Sequence, residues 1–348
     1  MDDTARAQRN AVAHLYHSLF TGLILTVVTR RGGADAGKWV QALFRRQHHA
    51  KFLSSFEKLG LSEMPPAVAA AAYHFHSNRI GGVDVEFMRE SDRKAWVRFP
   101  PPRWIYPGAT ICGVPSEVSR GMLQGWYAQN GVSLGVQGLQ FVCTGQTTDA
   151  QAGLMGYFIE HDHPVADDER LIFRPGEIAP LYDPETAPPL PEGEWPQERL
   201  EKARRNYAME YHRTGIPLLF EIFGVAEALH LLRSACWLIG VQLSREIASM
   251  LGVTAGGAEG LAQILVGLAA GEGDHADMHE EDGCVIVTRA ALRIFDGMSA
   301  QPPEAMLGWN ALIEGISAGH DRFLRVELLH HQKEKYIWRI NSLLIPLN

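Results

Sequence analysis

The feature that most limits what this chain can fold into is an order of elements that occurs twice, once on each side of a proline-rich stretch. Residues 164–196 hold eight of the 19 prolines and show no regular periodicity, which reads as an extended connector. On either side the pattern runs from long helices through a hairpin to a further helix and a closing hairpin. The opening helices contain Tyr16-His17 within RNAVAHLYH and Tyr211-His212 within RNYAMEYH. A second helix ends at FEKLG and again at ASMLG, and the Ala-rich PPAVAAAAYHFH corresponds to AEGLAQILVGLAA. The hairpin EFMRESDRKAWVRF matches DMHEEDGCVIVTR, with SDRK and EDG as turns. PSEVSRGMLQGW then matches PPEAMLGWNALI, pairing Glu117 with Glu304 and Gly121 with Gly308.

This order predicts an α+β fold made of two repeats, residues 1–163 and 197–348, joined by the proline-rich linker 164–196. Each repeat is a helical block followed by a small antiparallel sheet, β-β-α-β-β, packed on helices. In the last hairpin Phe323, Arg325 and Glu327 alternate with Leu324, Val326 and Leu328, as a half-buried strand requires. Two copies on one chain have a high effective concentration for each other, so a pseudo-dimer is expected.

Composition narrows the function classes. The chain has 348 residues, 46% hydrophobic and 21% charged, enough for a real core, and its four scattered cysteines do not make a disulfide scaffold. A formal charge of −8 is the wrong sign for neutralising phosphates, so no nucleic-acid partner is expected. The polar start MDDTARAQRN and apolar runs of about a dozen residues, short of the ~20 that span a bilayer, predict no membrane partner and a cytoplasmic location. A small-molecule substrate or ligand is the expected partner, and a homo-oligomer is compatible with the sequence.

The order of helices, CVIVTRAALRIF, the helix GWNALIEGIS and the hairpin FLRVELLHHQKEKYIWRI resembles the L-2-amino-thiazoline-4-carboxylate hydrolase group and its relatives, the hydrocarbon-binding 4-vinyl-reductase-type domains. The second half carries the resemblance best. It implies a ligand pocket between helices and sheet and a small-molecule function. The sequence departs from those relatives in lacking their cysteines: neither the helix containing Trp309-Asn310-Ala311 nor the hairpin HHQKEKYIW holds one. Cysteine-dependent hydrolysis and cysteine-bound zinc are therefore not carried over.

The densest polar stretch is GDHADMHEEDG. On a strand, period two places His275, Asp277 and His279 on one face, a ligand set suited to Zn or non-haem Fe if strand curvature brings them together. The plainer reading is a solvated edge strand. His279 and Glu280 are candidates for general acid-base work, as are His17 and His212 in the opening helices, where a packed core histidine is the competing reading. Trp104, Tyr106, Trp126, Tyr127 and Trp309 could line an apolar or aromatic ligand pocket, with Arg103, Glu117 and Arg322 fixing orientation; ordinary core packing is the alternative. His74 and His76 read as helix-end residues. The doublets His48-His49 and His330-His331 read as solvated, and Cys112 lies in a loop before a helix.

Two functions follow. One is a hydrolase or lyase acting on a small cyclic or amide-bearing compound. The other is a non-catalytic binding protein for a small hydrophobic or aromatic ligand.

Overall fold

A computed structural model of the chain describes residues 3–297, 303–332 and 335–343. It is an α+β protein with two sheets packed against helices, and it forms two compact units: Val27–Arg204, and Met1–Thr26 with Arg205–Asn348. The boundaries fall inside two long helices, α1 (Asp3–Arg31) and α6 (Gln197–Phe223), so each helix is shared between units.

The Val27–Arg204 unit continues with α2 (Gly33–Lys51), α3 (Pro66–Ile80), β1 (Glu86–Ser91), β2 (Lys94–Phe99), α4 (Ser116–Trp126), α5 (Asn130–Leu134), β3 (Leu139–Gly145), β4 (Leu154–Glu160) and β5 (Leu171–Phe173). The sheet order is β1-β2-β4-β3-β5, antiparallel except for the β3–β5 pair. Pro66 opens α3, where its missing N–H costs nothing, and the apolar run that follows is buried all round from Ala67 to His76. Helix α4 lies close on α2 because Gly121 and Gly125 have no side chain: a Cβ there would collide with the carbonyl oxygens of Gly37 and Gln41.

The other unit adds to its parts of α1 and α6 the helices α7 (Val225–Met250) and α8 (Gly257–Glu272), the hairpin β6 (Ala276–Glu281) and β7 (Cys284–Arg289), helix α9 (Pro303–His320), and strands β8 (Leu324–Gln332) and β9 (Lys335–Ser342). All neighbours in its sheet, order β6-β7-β9-β8, are antiparallel. Here too glycine sets the helix contact: a Cβ on Gly315 would strike the carbonyl of Trp237, and one on Gly240 that of Leu312. The α1–α2 and α6–α7 junctions share one backbone shape, Gly32 at φ 85°, ψ 169° and Gly224 at φ 76°, ψ 166°, a region that favours glycine.

The stretch 164–196 is more than a connector. It supplies β5, and its Ile172, Ala179 and Tyr182 pack over Met88, Trp96, Val142 and Tyr157 on the outer face of the five-stranded sheet. An apolar outer face needs such a cover. On the four-stranded sheet the strand positions facing away from the helices hold Asp277, His279, Glu327 and Arg339 around Ile286 and Ile337, a face whose polar rim water can solvate. Among the described residues α1 is the one helix long and apolar enough by length and composition to cross a membrane, and 61% of its most apolar window is buried inside the protein, as in a core helix.

Candidate functional site

The residues proposed from sequence do not gather in one place. His275 and Asp277 lie 3.1 Å apart but are 77% and 72% exposed, and His279 and Glu280 are exposed on the edge strand β6. Among the described residues, no group of three or more His, Cys, Asp or Glu side chains is placed to hold a metal ion. Trp104, Tyr106, Arg103, Glu117, Trp126 and Tyr127 belong to the Val27–Arg204 unit, whereas Trp309 and Arg322 belong to the other. Arg103 lies over the Phe99 ring and the exposed Arg322 over Phe323, and Glu117 is exposed. His330 is half-buried on β8; the side chain of His331, and Pro302, lie outside the described residues.

Two polar clusters are buried, one in each unit. In the Val27–Arg204 unit His74 is an interior residue of α3, its ring stacked on Tyr127 at 3.8 Å and nearly parallel to Phe158 at 5.5 Å. Asn130 contacts its Nε2 at 3.0 Å. His48, expected on a solvated face, is fully buried: helix periodicity places it with Val40, Leu43 and Gln47 on the inner side of α2, while Arg45, Arg46 and His49 face out. Its Nε2 meets the Ser133 hydroxyl at 2.8 Å. Burial holds the His74 imidazole well below its usual pKa and lowers that of His48 to about 3, so both are neutral. The aromatic rings fill this interior.

The second cluster sits in the other unit, between α1, α8, α9 and the sheet. Arg289 ends the apolar strand CVIVTR on its helix-facing side and is fully buried. Its guanidinium donates to Glu272 at 2.8 Å and to Asp274 at 2.5 Å. Asp274 also receives the Arg293 side chain at 3.2 Å and its backbone N–H at 3.0 Å. The Tyr16 hydroxyl donates to Glu272 at 2.9 Å. The buried Arg205 lies against Gly273 beside the same carboxylates, so two carboxylates face three guanidinium groups and each carboxylate is paired, the condition under which charges survive burial. Burial, reinforced by the Glu272 carboxylate, raises the Tyr16 hydroxyl well above its ordinary pKa.

Around this cluster three buried nitrogens lack a hydrogen-bond partner: Arg289 Nε, Trp309 Nε1 and His212 Nδ1. His212 is held from its other nitrogen, Nε2 to the Tyr16 carbonyl at 2.8 Å, and burial lowers its pKa to about 4. A small cavity of about 10 Å³, near the minimum for one water molecule, is lined by Tyr16, Glu272, Arg289, Trp309 and Trp338 on a wall of leucine and isoleucine from α1, α8 and α9. The Trp338 indole is satisfied by Asn310 at 2.8 Å; Arg289 Nε meets no acceptor, and the Trp309 indole N–H lies against the Tyr16 hydroxyl oxygen without closing a well-formed hydrogen bond. Of the residues named from sequence, Trp309 lines the cavity and His212 lies beside it; Tyr16, Glu272 and Arg289 were not named as site residues. Arg289 was detectable as the one charge on the inward side of an otherwise apolar strand. His17 is half-buried and turns its ring edge to Tyr207, 6.2 Å away.

No protein-family model, curated protein or solved structure matches this chain.

Proposed function

We propose that the chain is a small-molecule-binding protein built from a duplicated α+β unit, with its site in the half that carries Arg289. The carrying observation is Arg289 Nε, a buried donor without an acceptor, and the Trp309 indole, held only loosely against the Tyr16 hydroxyl, at a small cavity lined otherwise by Tyr16, Glu272, Trp338 and a leucine and isoleucine wall. A buried donor without an acceptor costs about 1–3 kcal/mol, which a ligand oxygen placed between them recovers. The ligand class is an apolar or aromatic molecule with a neutral acceptor, such as an amide or ketone. A carboxylate would add a third negative charge beside Glu272 and Asp274, while Arg289 and Arg293 are engaged with them and Arg205 donates to the Gly271 carbonyl. The cavity holds the oxygen alone, so on this proposal the body of the ligand must displace the flanking, fully packed Leu312, Ile313 and Ile316 side chains.

Duplication is supported by the matching strand orders β1-β2-β4-β3 and β6-β7-β9-β8 and by the glycine junctions at Gly32 and Gly224. Aligning the two junctions sets Tyr16 opposite Ala208, three residues from the Tyr211 match that the sequence suggested. On this reading the halves have diverged, with the His74–Tyr127–Phe158 stack filling one interior and the charged cluster serving the other.

A hydrolase or lyase would use the same place, and the Tyr16–Glu272 hydrogen bond beside the cavity is what favours it: the hydroxyl could protonate a leaving atom. Acetanilide, an aromatic amide, separates the readings. Isothermal titration with acetanilide, followed by chromatography of the mixture, gives saturable heat and intact amide for a binding protein. Aniline release identifies a hydrolase. Absence of saturable heat with acetanilide contradicts a neutral-acceptor site, and tighter binding of benzoate contradicts the charge argument.

A further inference from the structure

The four-stranded sheet ends on β8, a nine-residue strand, and among the described residues no strand pairs with its outer edge. Open edges are templates for further strand pairing. The Phe323 carbonyl accepts from the Leu343 N–H on the β9 side. Alternation along an antiparallel strand then turns the backbone groups of Arg325 and Glu327 toward β9, and those of Val326 and Leu328 toward the open edge. Large apolar side chains flank that edge, Phe323 at 38% and Leu329 at 44% exposure. The β8–β9 register slips between Leu328 and His330, so regular pairing on the open side is available as far as Leu328.

We infer that the outer edge of β8 is a homodimer interface, pairing antiparallel with β8 of a second copy about a two-fold axis at Val326. The sequence is self-complementary in that register. Val326 opposes Val326 as a reciprocally hydrogen-bonded pair, and Leu324 opposes Leu328 on the helix-facing side. Arg325 opposes Glu327, and by symmetry Glu327 opposes Arg325. Within one chain these two already form an ion pair at 2.9 Å, so dimerisation lets each charge meet its opposite across the strands as well. The other edge, β6, is more acidic, and although a two-fold at Met278 would set Asp277 opposite His279, each copy brings three carboxylates on the strand and a fourth at the turn. Glu280, Glu281, Asp277 and the turn residue Asp282 give that edge a net negative charge in both copies, which opposes self-pairing. The occupant is accordingly a second copy on β8.

The test is a charge exchange followed by light scattering on size-exclusion-separated protein, with circular dichroism as the control for folding. The wild-type chain is expected to be a dimer. Glu327→Arg places Arg325 against arginine twice and is expected to weaken dimerisation about tenfold. The double exchange R325E/E327R rebuilds both pairs in reverse and is expected to restore the dimer. A monomeric wild type overturns the inference. So does a dimer unaffected by Glu327→Arg, and so does a loss that the double exchange fails to restore.

Discussion

The hydroxyl of Tyr16 on the first helix donates to the carboxylate of Glu272, which also receives Arg289 at 2.8 Å. One carboxylate thus joins two partners that are 273 positions apart in the chain, and all three side chains are buried. The partners are not equivalent. Arg289→Leu removes the guanidinium bonded to both Glu272 and Asp274 and is expected to cost about 3–5 kcal/mol. Tyr16→Phe removes one hydrogen bond while Arg289 remains, and is expected to cost about 1–2 kcal/mol. Urea denaturation of both variants checks the order. Equal losses would mean that the charged cluster does not anchor this interior.

Acid should destabilise the protein through its buried histidines. Burial depresses His48 to about 3 and His76 and His212 to about 4, from an ordinary value near 6.5. A depressed folded pKa means that the unfolded chain binds protons first. The contribution of each histidine is therefore complete above pH ~6.5 and is lost as the pH falls toward its folded value, about 3 kcal/mol for a shift of this size. Stability measured between pH 7 and 4 should fall, and His212→Gln should reduce the slope. An unchanged slope in that variant would place the acid sensitivity elsewhere.

The helix contacts depend on hydrogen at Cα. Gly315→Ala pushes a methyl group into the Trp237 carbonyl, and Gly121→Ala does the same to Gly37, each expected to cost about 1–3 kcal/mol. Alanine is otherwise the better helix former, so a rise in Tm for either variant would contradict the close approach.

Thiol labelling should separate the exposed Cys112 from the buried Cys143 and Cys236. Cys112 is exposed and is expected to react first with a disulfide reagent. Burial raises the Cys143 thiol to about 12 and also raises that of Cys236, so neither should label before unfolding. Labelling of Cys236 in native protein would show that the α7 interior opens.

What could be read in the sequence was local and periodic. The turn EDG sits where Asp282 and Gly283 join β6 to β7, and the alternation of the last hairpin puts Leu324 inside and Arg325 outside. The fold class followed from such patterns. His48 was misplaced because its neighbours Arg45, Arg46 and His49 suggest a wet face, although a count of 3.6 residues per turn aligns it with Val40 and Leu43. The cluster of Tyr16, Glu272, Asp274 and Arg289 was hidden for a different reason. Its members come from a helix, a helix end, a loop and a strand, and no spacing in the chain records that folding brings them together.

The indole of Trp309 provides the most direct test of the central claim, that a neutral ligand oxygen is received between Trp309 Nε1 and Arg289 Nε. In ¹⁵N-indole-labelled protein titrated with acetanilide, the Trp309 N–H resonance should move downfield as it gains an acceptor, while that of Trp338, already bonded to Asn310, should move less. A Trp309 resonance that stays in place at saturating acetanilide, or a titration that survives unchanged in Trp309→Phe by calorimetry, would contradict the account.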